Sequence, residues 1–355
     1  MCRTINGADC NFDESYIKNI RSVIGNGTLY DDMVSAAQKP GRGNIAPTTI
    51  ILPTLAMQAK EKVDGQYVQY LTDEAQQNAY VEAFMKLLEK KINEAKDSLL
   101  ERFDWICSQP ASSAKFMYEN GTFFGYKPEE GIRSALKHGT LAIGQLGLAE
   151  TLEILIGCNH AKPEGMELAK RIEKLFNEKC AKFKKEYKLN FGVYYTPAEN
   201  LCYTAMNRFR EKYGEIPKVS DHDYFTNSIH VPVWETMTPF EKIDLESQLT
   251  GYSNAGCITY VELDSSAKNN LQAVEELVQY AMDRDIPYLG INLPNDTCNS
   301  CGYTDEIGVK CPQCGSTDIM RLRRVTGYLS TDYRNFNLGK QQEVEHRTTH
   351  TNVEV

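Results

Sequence analysis

No apolar run in this 355-residue chain reaches the ~18–20 residues that a membrane-spanning helix needs. The opening Met1-Cys2-Arg3-Thr4 is not followed by the apolar core of a secretory signal. Positive charge is in deficit, with 39 Lys and Arg against 48 Asp and Glu and a formal net charge of −9. A chain this acidic has no general attraction for nucleic acid or for anionic membranes. Internal repeats and low-complexity stretches are also lacking. What remains is an ordinary globular composition, 41% hydrophobic and 25% charged, which argues against wholesale disorder. The length allows two or three domains, or one large α/β barrel. The expectation is a soluble, cytoplasmic protein.

Eleven cysteines are too few for a disulfide scaffold of this length. Four of them cluster as Cys298-x-x-Cys301 and Cys311-x-x-Cys314. Each C-x-x-C presents two thiolates from one tight turn, and two such knuckles complete a tetrahedral four-cysteine site that suits zinc. Gly302, Pro312 and Gly315 are residues that such turns require. A closed four-cysteine site has no open position for substrate, so its role is structural. A zinc ribbon can also bind nucleic acid or protein. Arg321, Arg323 and Arg324 are the support for that rival, and three arginines are more often a solvated or ion-paired face. Cys158 and His160 read as a helix-end feature, not a nucleophile pair. His138 reads as a structural hydrogen-bonding residue.

Residues 3–43 show little periodicity and read as a long surface excursion. A strand is expected at about 48–52, between Pro47 and Pro53. Apolar residues at spacings of three and four predict a helix over 74–107. A second, buried helix is expected over 132–156, with Gly139, Gly144 and Gly147 allowing close packing. A third runs over 164–187 after Pro163. Strands follow at about 191–196 and 256–262, then a helix at 267–283 and a strand at 288–293. Strands alternating with helices indicate an α/β architecture around a largely buried sheet. The boundary is placed at Pro294, which divides the chain into 1–293 and 294–355. The last dozen residues read as a tail. Thr196-Pro197-Ala198-Glu199 sits where a strand gives way to a loop or helix. There the backbone N–H groups either face a substrate phosphate or form an ordinary helix start.

Directly after the ribbon comes Arg324-Val325-Thr326-Gly327-Tyr328-Leu329. With a four-cysteine ribbon upstream, this segment resembles the glycyl-radical motif of the anaerobic (class III) ribonucleotide reductases. The ending Gly339-Lys340-x-x-Glu343-x-x-x-Arg347-x-x-His350 is similar to that family's C-terminus. Met1-Cys2-Arg3-Thr4 resembles its radical-cysteine loop, and Gly41-Arg42-Gly43-Asn44 its G-R-x-N segment. Lys137-His138-Gly139-Thr140, Tyr195 to Leu201, Tyr224 to His230 and Thr238 to Lys242 also match its blocks, in order.

The resemblance implies the second half of a ten-stranded α/β barrel, followed by the ribbon and a glycyl-radical loop. It implies anaerobic reduction of ribonucleoside triphosphates to 2′-deoxyribonucleoside triphosphates. In that scheme Gly327 stores the radical, Cys2 becomes the thiyl, and Asn44 orients the ribose hydroxyls. Thr196, Pro197, Ala198 and Glu199 face the substrate, and the four ribbon cysteines hold structural Zn2+. The implied partners are an activating enzyme with S-adenosylmethionine and an iron–sulfur cluster, the N-terminal half of the reductase, and a second copy in a homodimer. No membrane or nucleic-acid partner is implied. Two departures stand out. Met1 abuts Cys2 where the family carries a glycine, and family members are about twice this long. A split gene, an intein-interrupted frame and a truncated reading of the gene all remain open, and an inert fragment or a non-catalytic ribbon module is the alternative.

Overall fold

The computed structural model describes residues 9–11, 43–65, 74–120, 122–123, 125–325 and 328–350. Cys2, Gly41, Arg42, Thr326 and Gly327 lie outside these, as does most of the expected excursion over 3–43.

The framework is a set of parallel strands with helices packed against them. Strand β1 (Asn44–Ile51) runs straight into helix α1 (Leu52–Asp64), where Pro53 occupies the first turn. Helix α2 (Glu74–Cys107) buries Phe84, Leu88, Ile92, Leu99 and Phe103 on one stripe, as its periodicity predicts. A short turn α3 (Lys115–Glu119) and a single turn α4 (Arg133–Leu136) lead to strand β2 (Thr140–Leu146) and helix α5 (Leu148–Ile156). Helix α6 (Pro163–Tyr187) precedes strand β3 (Asn190–Tyr194), and helix α7 (Asn200–Tyr213) follows it. Helix α8 (Pro239–Thr250) starts from a full capping box between Thr238 and Glu241. Strands β4 (Thr259–Glu262) and β5 (Leu289–Asn292) flank helix α9 (Leu271–Met282).

Strands β1, β2 and β3 form one parallel sheet in that order, and β4 pairs with β5, also parallel. A parallel bridge from Tyr194 to Gly256, with Tyr195 N–H donating to the Gly256 carbonyl, carries the sheet direction from β3 towards β4.

The expected helix over 132–156 is corrected. That stretch holds α4, β2 and α5 in succession. Every residue of β2 is buried, Thr140 and Gln145 included, so the strand shows no alternation of apolar and polar faces. Periodicity cannot separate such a strand from a buried helix. The glycines do mark close packing. A Cβ on Gly144 would lie 2.6 Å from the Tyr194 carbonyl, and Gly147 takes φ +78° between β2 and α5.

Helix α6 carries Glu173 into the apolar layer, where it is fully buried and accepts a 2.9 Å hydrogen bond from Gln145 of β2. Burial pushes its carboxyl up to about 8, against the pull of Tyr195 and Gln145. The folded value lies above the unfolded one. The neutral carboxyl's contribution is therefore full below about pH 4.5 and is lost as the pH rises to about 8. Glu173→Gln cannot titrate. Its advantage over the wild-type chain should grow through that window to a few kcal/mol and then level off. Denaturation midpoints at pH 5, 6.5 and 8 measure this, and parallel profiles for the two proteins would exclude the assignment.

Candidate active site and metal centre

Strand β6 (Asn295–Cys298) delivers the first knuckle. Beside it lie β7 (Thr304–Asp305) and β8 (Ile319–Val325), and β8 pairs with β9 (Tyr328–Ser330). The two C-x-x-C turns are copies of one device. Gly302 N–H donates to the Cys298 carbonyl and Gly315 N–H to the Cys311 carbonyl, each at 2.9 Å. Both glycines take the left-handed conformation, φ +76° and +73°. The four Sγ atoms all lie within 4.8 Å of one another, with Cys298–Cys314 at 3.5 Å and Cys301–Cys311 at 3.7 Å. Zn–S bonds of ~2.3 Å in a tetrahedron place sulfurs ~3.8 Å apart. The cluster fits a tetrahedral metal ion such as zinc.

The arginines on β8 are spent inside the protein. Arg321 and Arg323 both pair with Asp296, which is fully buried. Arg324 stacks on the Tyr260 ring at 3.5 Å, donates to Asn292 at 2.8 Å and pairs with Glu262 at 3.4 Å. They form an ion-paired face, which removes the support for a nucleic-acid-binding ribbon.

The C-terminal helix α10 (Leu338–Glu345) holds the other side of this hairpin. Arg347 donates to the Arg324 carbonyl at 2.6 Å and to Glu343 at 3.1 Å. Glu343 also accepts from Lys340, and both are buried. Burial pushes the Glu343 carboxyl up, but Lys340 and Arg347 outweigh it and hold the group well below the usual carboxylate range. Thr348 N–H donates to the Val233 carbonyl, and His350 exchanges two hydrogen bonds with the backbone of Glu262. The expected tail is therefore docked as far as His350. Strand β8 ends at Val325 and β9 begins at Tyr328, and these two residues pair. Gly327 lies outside the described residues, but both its flanks are anchored. A cavity of about 30 Å³, room for one water, lies against this lattice between Tyr224, Asn227, His230, Tyr260, Glu262 and Arg324.

Asn44 opens β1. Its Nδ2 donates to the Ala255 carbonyl at 3.1 Å, and its buried Oδ1 has no partner among the described residues. Ala255 in turn donates to Val193. Ala142, Tyr194 and Ala255 pack together on the same side. At Thr196 to Glu199 the chain makes a strained turn, with Ala198 at φ +50° and Glu199 at φ +44°. Such outliers cluster at functional sites. Ser228, itself at φ +45°, donates to the Thr196 carbonyl. Helix α7 starts here without a side-chain cap; Ala198 N–H donates to Thr196 Oγ1 at 3.2 Å, and the N–H groups of Leu201 and Cys202 donate to the carbonyls of Ala198 and Glu199. His160 is buried and hydrogen-bonds the Ile229 carbonyl at 2.9 Å, a structural role as expected. Burial pushes its imidazole down to about 4.

A family model described as anaerobic ribonucleoside-triphosphate reductase matches residues 2–350. The chain belongs to this family. It is 32% identical over 328 residues to the anaerobic ribonucleoside-triphosphate reductase of Salmonella typhimurium, covering 87% of this chain and 43% of that protein. It is 33% identical over 322 residues to that of enterobacteria phage T4, covering 87% and 49%. The chain thus spans less than half the length of these relatives. An anaerobic ribonucleotide reductase structure superposes with a TM-score of 0.63 at 19% identity, covering 82% of this chain and 41% of that one. The Thermotoga maritima anaerobic ribonucleotide reductase with glycerol in the active site gives 0.61 at 19%, covering 81% and 42%. These two likenesses establish a shared mixed α/β fold.

Two features of this reductase-family chain escaped the sequence reading. One is the pairing of Glu262 and Asn292, at the ends of β4 and β5, with Arg324. Nothing local marks those residues, since their partners lie 62 and 32 positions away. The other is Asp9, which pairs with His138 across 129 positions. Helices α1, α7, α8 and α10 also went unread, although Thr238-Pro239-x-Glu241 carries the capping-box pattern. No helix among the described residues is long and apolar enough to cross a membrane.

Proposed function

We propose that this chain is the radical-bearing, catalytic C-terminal half of an anaerobic ribonucleoside-triphosphate reductase. The family match over residues 2–350 carries the reading. The five parallel strands support its being the second half of a ten-stranded barrel, within residues 1–293. Residues 294–355 form the unit that holds zinc and the radical glycine.

In this reading a partner enzyme using S-adenosylmethionine and an iron–sulfur cluster removes one α-hydrogen from Gly327. When a ribonucleoside triphosphate binds, Cys2 gives its Sγ hydrogen to Gly327 and then takes the ribose 3′-hydrogen. S–H and activated C–H bonds are close enough in strength for both transfers to run. The 2′ C–O bond breaks next to the 3′ radical and the oxygen leaves as water. An external donor, formate or a dithiol protein, supplies two electrons, and donor and solvent supply the protons for water and C2′; Cys2 returns the hydrogen to C3′ and takes one back from Gly327, which restores the stored radical. Asn44 offers its unpartnered Oδ1 to a ribose hydroxyl and does not titrate. The strained Thr196–Glu199 turn ahead of α7 faces the substrate, with most of its own N–H groups already bonded within the turn. The zinc held by the four ribbon cysteines fixes the base of the hairpin.

The test is anaerobic turnover. This chain and a separately made N-terminal half are activated together and given a ribonucleoside triphosphate, with formate or a dithiol protein in separate arms. The 2′-deoxy product should form in one arm and vanish with Gly327→Ala. Product that survives Gly327→Ala would refute the reading.

A further inference from the structure

Among the described residues six other than glycine take positive φ, and three of them meet at one place. Ala198 (φ +50°) and Glu199 (φ +44°) form the turn after β3, and Ser228 (φ +45°) lies against it. Ser228 is fully buried, and its Oγ donates to the Thr196 carbonyl at 2.5 Å. Among the described residues this is the one hydrogen bond that reaches residues 196–199 from outside the turn and its helix. The other bonds are local. Ala198 N–H donates to Thr196 Oγ1, Glu199 N–H to the Pro197 carbonyl, and the N–H groups of Leu201 and Cys202 to the carbonyls of Ala198 and Glu199.

Ser228 can act as a fixed post because its own segment is held on several sides. Thr226 N–H and Oγ1 both donate to the buried Glu150 carboxylate at 2.7 Å, and the Thr226 carbonyl accepts from Gly147 N–H just past β2. Asn227 Oδ1 accepts the Cys202 S–H of α7 at 3.2 Å, and its Nδ2 donates to Glu343 of α10 at 3.2 Å. The turn, by contrast, carries two strained residues, and such conformations persist only when their surroundings over-determine them. Both ends of the turn stay anchored without Ser228, through Tyr195 N–H on the Gly256 carbonyl and through Cys202 on Asn227. What the Ser228 hydroxyl controls is therefore the conformation of the turn and not its location.

We propose that Ser228 is a positioning residue whose hydroxyl holds the Thr196–Glu199 turn in the shape that receives the substrate. This rests on reading that turn as part of the substrate site. Without the hydroxyl, the Thr196 carbonyl loses its partner and the turn relaxes towards ordinary backbone angles. One lost buried hydrogen bond shifts such an equilibrium about tenfold. A binding-competent fraction reduced to about one-tenth raises the apparent dissociation constant about tenfold. Bound substrate restores the shape, so the chemical steps that follow keep their rate.

The experiment uses the activated complete enzyme, this chain with its N-terminal half. Spins per chain, kcat and KM for a ribonucleoside triphosphate are measured for wild type, Ser228→Ala, Ser228→Gly and Thr196→Val. Glycine takes φ +45° without strain, so Ser228→Gly removes the hydroxyl and spares the backbone. Both Ser228 variants should keep the wild-type spin yield and a kcat within about twofold, while KM rises about tenfold. Thr196→Val removes the acceptor for Ala198 N–H inside the turn and should also raise KM. A wild-type KM in either Ser228 variant would overturn the proposal. So would a parallel fall in spins and kcat, the mark of a merely structural residue. A wild-type KM in Thr196→Val would instead overturn the reading of the turn, and the proposal with it.

Discussion

Gly327→Ala should give a chain that folds, retains its metal and is not cut by air. An α-carbon radical is stabilised when the flanking amide nitrogen and carbonyl share the unpaired electron, which requires a planar centre. A Cβ crowds that plane and opens other routes of decay, and glycine alone has none. The same radical is the point at which oxygen attacks. The activated wild-type chain should therefore break at residue 327 on exposure to air. The strands on either side are held by other residues. The pairs Arg323–Ser330, Arg324–Leu329 and Val325–Tyr328 are backbone ladder contacts, and Arg324 is held by Asn292, Glu262 and Arg347. Mass spectrometry after anaerobic activation and aeration reads the result. Two fragments from wild type and one intact chain from the variant are expected. A variant cut at the same position would place the radical elsewhere.

Removing the metal should be nearly as damaging. The ribbon's own core is small: Cys298, Ile307 and Cys311, with Tyr303 and Ile319 against them. A unit this size rarely holds together without a metal or a disulfide. Structural zinc supplies ~10–16 kcal/mol of apparent binding energy in comparable knuckles. Strand β8 runs unbroken from the ribbon to Val325, so melting the knuckles frees one flank of the glycyl segment. Chelation, or Cys301→Ser, should cost most of the radical yield, and Zn2+ should restore it in the chelated wild type but not in the variant. Metal content by plasma mass spectrometry should be one ion per chain before chelation. A metal-free chain with full radical yield would show that the ribbon and the radical loop are uncoupled.

The parts of this account that were legible in the sequence are local. The stripe Phe84 to Phe103, Pro163 before α6, and the Cys-x-x-Cys-Gly knuckles each carry their signal within one or two turns of chain. The buried strand β2 was not legible, because burial on both faces erases the alternation that identifies a strand. Helix α7 was also hidden, since its start at the strained Ala198 and Glu199 carries no capping side chain. His138 was read as a hydrogen-bonding residue without a named partner, and its partner is Asp9. The arginines of β8 were visible as a charge run, but Asp296, Glu262 and Asn292 as their destinations were not. Ion-pair partners are fixed by topology, and spacing along the chain does not encode them. Cys2 and Gly327, the residues that carry the proposed chemistry, were reached through the resemblance and lie outside the described residues.

The most direct measurement is anaerobic electron paramagnetic resonance of this chain after incubation with its activating enzyme, S-adenosylmethionine and a reductant. It is made with and without the N-terminal half, and with Gly327→Ala as control. The account predicts a doublet from the one remaining α-hydrogen, which collapses when glycine is supplied deuterated at Cα and is lost in the variant. A folded, metal-loaded chain that gives no such signal in either arm, or gives it equally with Gly327→Ala, would contradict it.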